Sequence, residues 1–116
     1  MIYTSYYAQL RNIPKDITPY AISNSIPKGV TIREKLTAFV PDWENVARYK
    51  ADGDWKRFKD DYLSQLNRLT SISLPDDDIV LLCYEKDASV CHRSILAEWL
   101  QEKFFIEVKE WTRDTA

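Results

Sequence analysis

Glycine is almost absent. Gly29 and Gly53 are the only two in 116 residues. They lie far apart, so the glycine-rich loops that cradle phosphate in P-loop or dinucleotide folds are excluded. Cysteine is as scarce: Cys83 and Cys91 are the whole complement. Two cysteines make no disulfide framework, so a reduced, cytoplasmic setting is expected. No apolar run approaches the roughly 20 residues of a membrane span, and no membrane partner is expected. The start, MIYTSYYAQL, has no basic region, long apolar core or cleavage site of a signal peptide. Neither charge dominates. Sixteen basic and 18 acidic residues give a net charge of −2, which argues against nucleic-acid binding driven by bulk charge.

What is present suits one globular domain spanning 1–116. The hydrophobic fraction is 45%, enough for a real core at this length. IYTSYY (2–7) is rich in β-branched and aromatic residues and predicts a first strand. A brief helical turn over 6–11 follows, stopped by Pro14. YAIS (20–23) predicts a second strand, and Asn24 to Gly29 a turn-rich loop. A short helix is expected over 33–39. Pro41-Asp42 starts another, with Trp43, Val46 and Ala47 or Tyr49 facing inward. Gly53 breaks it, and Asp54 caps the next. There Trp55, Phe58, Tyr62, Leu66 and Leu69 recur at helical spacing, the stripe of a core-facing amphipathic helix. Asp76 to Asp78 lack the spaced oxygens of a calcium loop and read as a solvated turn.

The stretch 79–99, IVLLCYEKDASVCHRSILAEW, holds the chemistry. Ile79 to Tyr84 is apolar at every position, as in parallel strands covered on both faces. Ser89 is a candidate N-cap for the helix that follows, whose buried stripe is Ile95, Leu96, Trp99, Leu100 and Phe104. IEVKEW (106–111) alternates, which fits a final edge strand, and 113–116 reads as a frayed tail. Strand–helix alternation predicts an α/β fold, a Rossmann-like three-layer domain of about four mainly parallel strands flanked by helices. In such sheets ligands sit beyond the carboxyl ends of the strands. That rim gathers Ser5 and Tyr6, Ser23 and Lys28, and Cys83 through His92.

Three chemistries compete for the rim. A helix start near Val90 with Arg93 beside it points to an anion site, phosphate- or nucleotide-like. The bland rival pairs Arg93 with Glu85 or Glu98 and merely fastens the loop. Cys91 in a first helical turn is a candidate nucleophile with a lowered pKa. A direct Cys91–His92 pair is awkward, because neighbours on a helix fan out by about 100°. Cys83, Glu85, Cys91 and His92 are acceptable zinc-ligand types. Their spacing matches no common zinc pattern, so no metal is expected, and a Cys83–Cys91 disulfide still less. Glu85, just past a buried strand, is a candidate acid or base, or an anchor for Arg93 or His92.

At these residues the chain resembles the DUF488 family, small proteins of bacteria, archaea and phages. The resemblance rests on an apolar strand, Cys83-x-Glu85, a short gap, and Cys91-His92-Arg93 opening a helix. IYTSYY, AISNSIPKG and the Tyr49-Lys50 pair before the aromatic helix extend it along nearly the whole chain. Longer members carry an acid and an arginine beside the second strand, where this chain has Ile22-Ser23-Asn24. The resemblance implies a Rossmann-like domain with a polar rim site, and imports no reaction and no cofactor. The expectation is therefore a pocket for a small anionic, nucleotide-like ligand. Arg93, Ser5, Tyr6, Ser23, Lys28 and Cys83 are its candidate binding residues, and Glu85, Cys91 and His92 its candidate catalytic ones. The alternative is a non-enzymatic module binding nucleic acid or protein, with exposed aromatics stacking on bases.

Overall fold

The computed structural model describes residues 1–32 and 34–113. Four strands form one sheet: β1 (Ile2–Tyr6), β2 (Thr18–Ala21), β3 (Ile79–Cys83) and β4 (Val108–Glu110). Their order across the sheet is β2-β3-β1-β4, and every pairing is parallel. Ile2 lies opposite both Ile79 and Val108, and Tyr6 opposite Cys83. All four strands thus end on one rim. The apolar run of β3 takes an interior place, each residue at most 1% exposed, as unbroken hydrophobicity demands. The charged alternation of β4 leaves it at an edge.

Alternate residues of β3 feed two cores. Ile79, Leu81 and Cys83 pack under the helices, while Val80 and Leu82 face Tyr7, Ile13, Ile17 and Trp111. Three α-helices cover the first face: α1 (Trp43–Asp52), α2 (Trp55–Asn67) and α3 (His92–Phe104). The second face is covered by a 3-10 turn at Tyr7–Asn12 and by loop residues including Ile26, Val30 and Ile32. The third layer is therefore thin.

The stripe of α2 buries Phe58, Tyr62 and Leu66, and the Asp54 carboxylate accepts from the Arg57 backbone N–H at 3.1 Å. Gly53, at φ 65°, ends α1 by donating to the Tyr49 carbonyl at 2.7 Å. That left-handed turn is one glycine adopts without a Cβ penalty. Tyr62 Oη donates to the Phe39 carbonyl at 2.6 Å, and Trp99 Nε1 to Asn67 Oδ1 at 2.9 Å. These bonds tie α2 to the preceding turn and to α3.

Several boundaries differ from expectation. β2 begins two residues early, at Thr18, because Pro19 is tolerated on an edge strand. The helix expected over 33–39 is only a 3-10 turn at Thr37–Phe39. Its earlier residues instead extend the sheet edge, Lys35 bridging to Ala21, while Arg33 lies outside the described residues. Ser89 does not cap α3: Ala88–Val90 form a 3-10 turn held by Asp87, and Cys91 is the N-cap. The tail at 114–116 also lies outside the described residues.

Candidate functional site

A cleft of about 490 Å³ opens at the carboxyl ends of β2 and β3, on the helical face. Its far wall is aromatic: Trp43 and Tyr49 from α1, Trp55 and Phe58 from α2. Tyr49, Trp55 and Phe58 pack ring against ring with centres 5.1–5.7 Å apart, Trp55 stacked on Phe58 and Tyr49 edge-on to Trp55. Ser23 to Ser25 beyond β2 and Tyr84-Glu85 beyond β3 make the near wall. Cys91 and His92, at the start of α3, also line it. Lys50 reaches over the Trp43 ring, 5.4 Å from its centre. Trp43 is 59% exposed and Tyr84 47%, so the mouth is aromatic too. The sequence expects Trp43 to face inward. It sits instead in the first turn of α1, at the lip, and Asn45 takes the buried place.

Cys83 and Cys91 are joined by a disulfide, the pairing the expected reduced, cytoplasmic setting argued against. The parallel sheet explains the meeting. Residues 84–91 leave β3, make one 3-10 turn, and return to begin α3 against the end of the same strand. His92 joins them: its Nδ1 lies 3.9 Å from Cys91 Sγ. The helical fanning that made this pair awkward does not apply, because Cys91 is the extended N-cap, at φ −123° and ψ 143°. His92 Nε2 donates to the Ile22 carbonyl at the end of β2. A carbonyl only accepts, so the proton sits on Nε2 and the Nδ1 lone pair faces the sulfurs. Burial, opposed by the Ile22 bond and aided by the Arg93 charge, brings the His92 pKa down to about 4. At neutral pH this imidazole is an uncharged acceptor or metal donor and a weak base.

Arg93 is not at the cleft. Its side chain is fully buried, and every donor of the guanidinium is engaged within the chain. Nε and Nη2 grip the Glu110 carboxylate at 2.9–3.1 Å. Nη1 donates to Cys83 Sγ at 3.2 Å and to the Glu85 carbonyl, and Nη2 to the Lys86 carbonyl at 3.0 Å. Tyr6 lies against it, ring centre 5.7 Å from Cζ. The guanidinium fastens the 84–91 loop, as the bland reading had it, but its carboxylate partner is Glu110 rather than Glu85 or Glu98. A ligand held by Arg93 would have to displace that carboxylate or those carbonyls. Glu110 itself had a signal in the sequence. Strand alternation puts it on the same face as buried Val108, where an acid needs a cation.

The other expected residues separate. Ser23 lines the cleft, its hydroxyl bonded to the Ser25 carbonyl at 2.7 Å and to Tyr7 Oη at 2.6 Å. The exposed Glu85 is also on the wall. Ser5 is fully buried and donates to the Trp111 carbonyl at 3.3 Å. Tyr6 accepts from Gln9 Nε2 at 2.8 Å. Lys28 is exposed on its loop, outside the cleft lining. The residues missed are the wall itself. The Tyr49-Lys50 pair entered only as part of the family resemblance, and Trp55 and Phe58 carried only a packing signal, since an amphipathic stripe does not reveal which of its edges borders a cleft.

A parallel four-stranded α/β sheet flanked by helices, with a cleft at its carboxyl rim bordered by Cys91 and His92 at a helix start, defines a Rossmann-like domain. The family model for the active DUF488-N3 subclade matches residues 2–104, and the chain belongs to the DUF488 family. No curated protein and no solved structure matches it.

Proposed function

We propose that the cleft binds a small anionic compound with a flat ring, nucleotide-like in character, and presents it to His92 and Glu85 for reaction, Cys91 being tied to Cys83. The observation that carries this is the combination within one cleft of stacked aromatics, Lys50 and the start of α3. Aromatic walls favour a π-faced ring. Lys50 and the N-terminal end of α3 favour negative charge at its other end. The test is quenching of tryptophan fluorescence by nucleotides, phosphorylated metabolites and the matching uncharged nucleosides. Nucleotides should quench and stabilise the fold more than their nucleosides do. If no anion in the panel does either, the reading fails.

The exposure of Trp43 and Tyr84 at the mouth favours one second reading, stacking on single-stranded nucleic acid. Oligonucleotides would then bind far more tightly than mononucleotides, with a steep dependence on salt. Equal affinity for both would rule it out.

A further inference from the structure

We propose that the reduced protein holds one zinc-class divalent ion on Cys83 Sγ, Cys91 Sγ and His92 Nδ1, with its fourth coordination position facing the cleft. The three donor atoms lie within 4.8 Å of one another. Sequence spacing hides the set, because the ligands converge through the sheet and not along a motif. The Cα atoms of Cys83 and Cys91 are 7.3 Å apart, wider than the roughly 4.4–6.8 Å that disulfides usually span. Two thiolates each reaching one ion at about 2.3 Å bridge such a distance readily. Two sulfurs and one imidazole are the donor set that selects zinc over magnesium or calcium.

The surroundings are those of a metal site. A ligating imidazole commonly gives its other N–H to a backbone carbonyl, which fixes ring and tautomer. His92 does so with Ile22 at the end of β2. The Arg93 N–H on Cys83 Sγ favours a thiolate, and the helix start at Cys91 favours a second one. Two thiolates neutralise the ion, and Glu110 already neutralises Arg93, so the set leaves no uncompensated charge. Cys91 and His92 border the cleft, whereas Cys83 lies behind them at 1% exposure. The protein therefore covers three positions, and the fourth is left to water or a ligand atom. Three protein ligands with an open position is the arrangement of catalytic rather than structural zinc, and it lowers the pKa of bound water to about 7. Glu85 lines the same cleft. Cys91 then serves as a ligand and not as a free nucleophile. Reaching this state requires two electrons from a dithiol or phosphine reductant, which convert the disulfide to two thiols. Binding the ion then releases their protons.

The site stands whatever organic ligand the cleft takes. The test is reduction with a phosphine under argon, loading with zinc or cobalt(II), and removal of excess metal. One ion per chain is expected, and cobalt should show an intense thiolate-to-metal charge-transfer band in the ultraviolet. Both thiols should resist alkylation when zinc is bound and react when it is absent. His92→Gln should weaken retention at least tenfold, and Cys83→Ser should abolish the one-to-one complex. Should those variants fail to fold, the wild-type band and thiol protection decide the matter alone. A reduced, folded wild type that retains no metal overturns the proposal. So does metal retained without the charge-transfer band or thiol protection. Neither result touches the nucleotide titration, so the two proposals fail separately.

Discussion

Two cations, one behind the cleft and one at its mouth, are held in opposite ways. Arg93 is fully buried, with its five N–H groups spent on Glu110, Cys83 and two loop carbonyls. Lys50 sits at the mouth, its ammonium over the exposed Trp43 ring. Sequence adjacency to Cys91 and His92 makes Arg93 look like the ligand holder. The fold makes it the rivet of the hub behind the site. It occupies the junction of β1 and β3, where Tyr6 and Cys83 are paired neighbours. A buried guanidinium needs its own carboxylate, and a cation already satisfied inside the chain has little to offer a ligand. The difference separates a hub that carries stability from a mouth that carries recognition.

The contrast is broken most directly at Arg93. Arg93→Ala should destabilise the protein by about 3–5 kcal/mol in urea unfolding, because it strands a carboxylate and two loop carbonyls. Glu110 is 32% exposed, so part of its cost is recovered by water, and Glu110→Ala should also be severe because it leaves the buried cation unpaired. If Arg93→Ala unfolds at the wild-type urea concentration and loses ligand binding alone, the two roles assigned here are reversed.

Acid probes the hub next. An unfolded histidine takes up a proton near pH 6.5, whereas folded His92 does so only near 4. Between those values the unfolded chain binds more protons, so stability is full above about 6.5 and falls as pH drops towards 4. For the disulfide-bonded protein the loss should reach up to about 3 kcal/mol. Urea midpoints for wild type and His92→Asn between pH 7 and pH 4 isolate it from the carboxylates. Parallel curves for the two proteins would show that His92 is not the group responsible.

The sequence made the hub's position legible and its wiring not. An unbroken apolar strand and a polar Cys-His-Arg helix start locate the rim, because burial on both faces and a helix N-terminus leave strong local marks. The aromatic stripe of α2 was equally plain. The Glu110–Arg93 pair and the Cys83–Cys91–His92 cluster are contacts between elements, and no local periodicity encodes them. Cys91 as an extended N-cap was missed because Ser89 is the better capping residue by type. Asp87 competes for that segment, its carboxylate accepting from both the Ser89 amide and the Ser89 hydroxyl. Trp43 was misplaced because helical spacing counts an aromatic as inward, and a first-turn residue at a cleft lip obeys a different demand.

The mouth gives the smallest change in stability and the sharpest test of its role. Lys50→Ala and Trp43→Ala alter exposed side chains, so each should change unfolding free energy by no more than about 0.5 kcal/mol. Against an anionic ring compound each should weaken binding about tenfold, roughly 1.4 kcal/mol. The two should not act alike across ligands. Lys50→Ala should cost most against a nucleotide and least against its nucleoside, since the ammonium reads charge. Trp43→Ala should cost the same against both, since the ring reads a flat face. The double variant should lose less than the sum of the two, because Lys50 lies over the ring it would otherwise share with the ligand. Isothermal titration of the four proteins against one nucleotide and its nucleoside reads all three statements. Identical losses for both ligands in Lys50→Ala would place the negative charge elsewhere on the rim. With Arg93 committed to Glu110, the start of α3 would then be the remaining candidate to receive it.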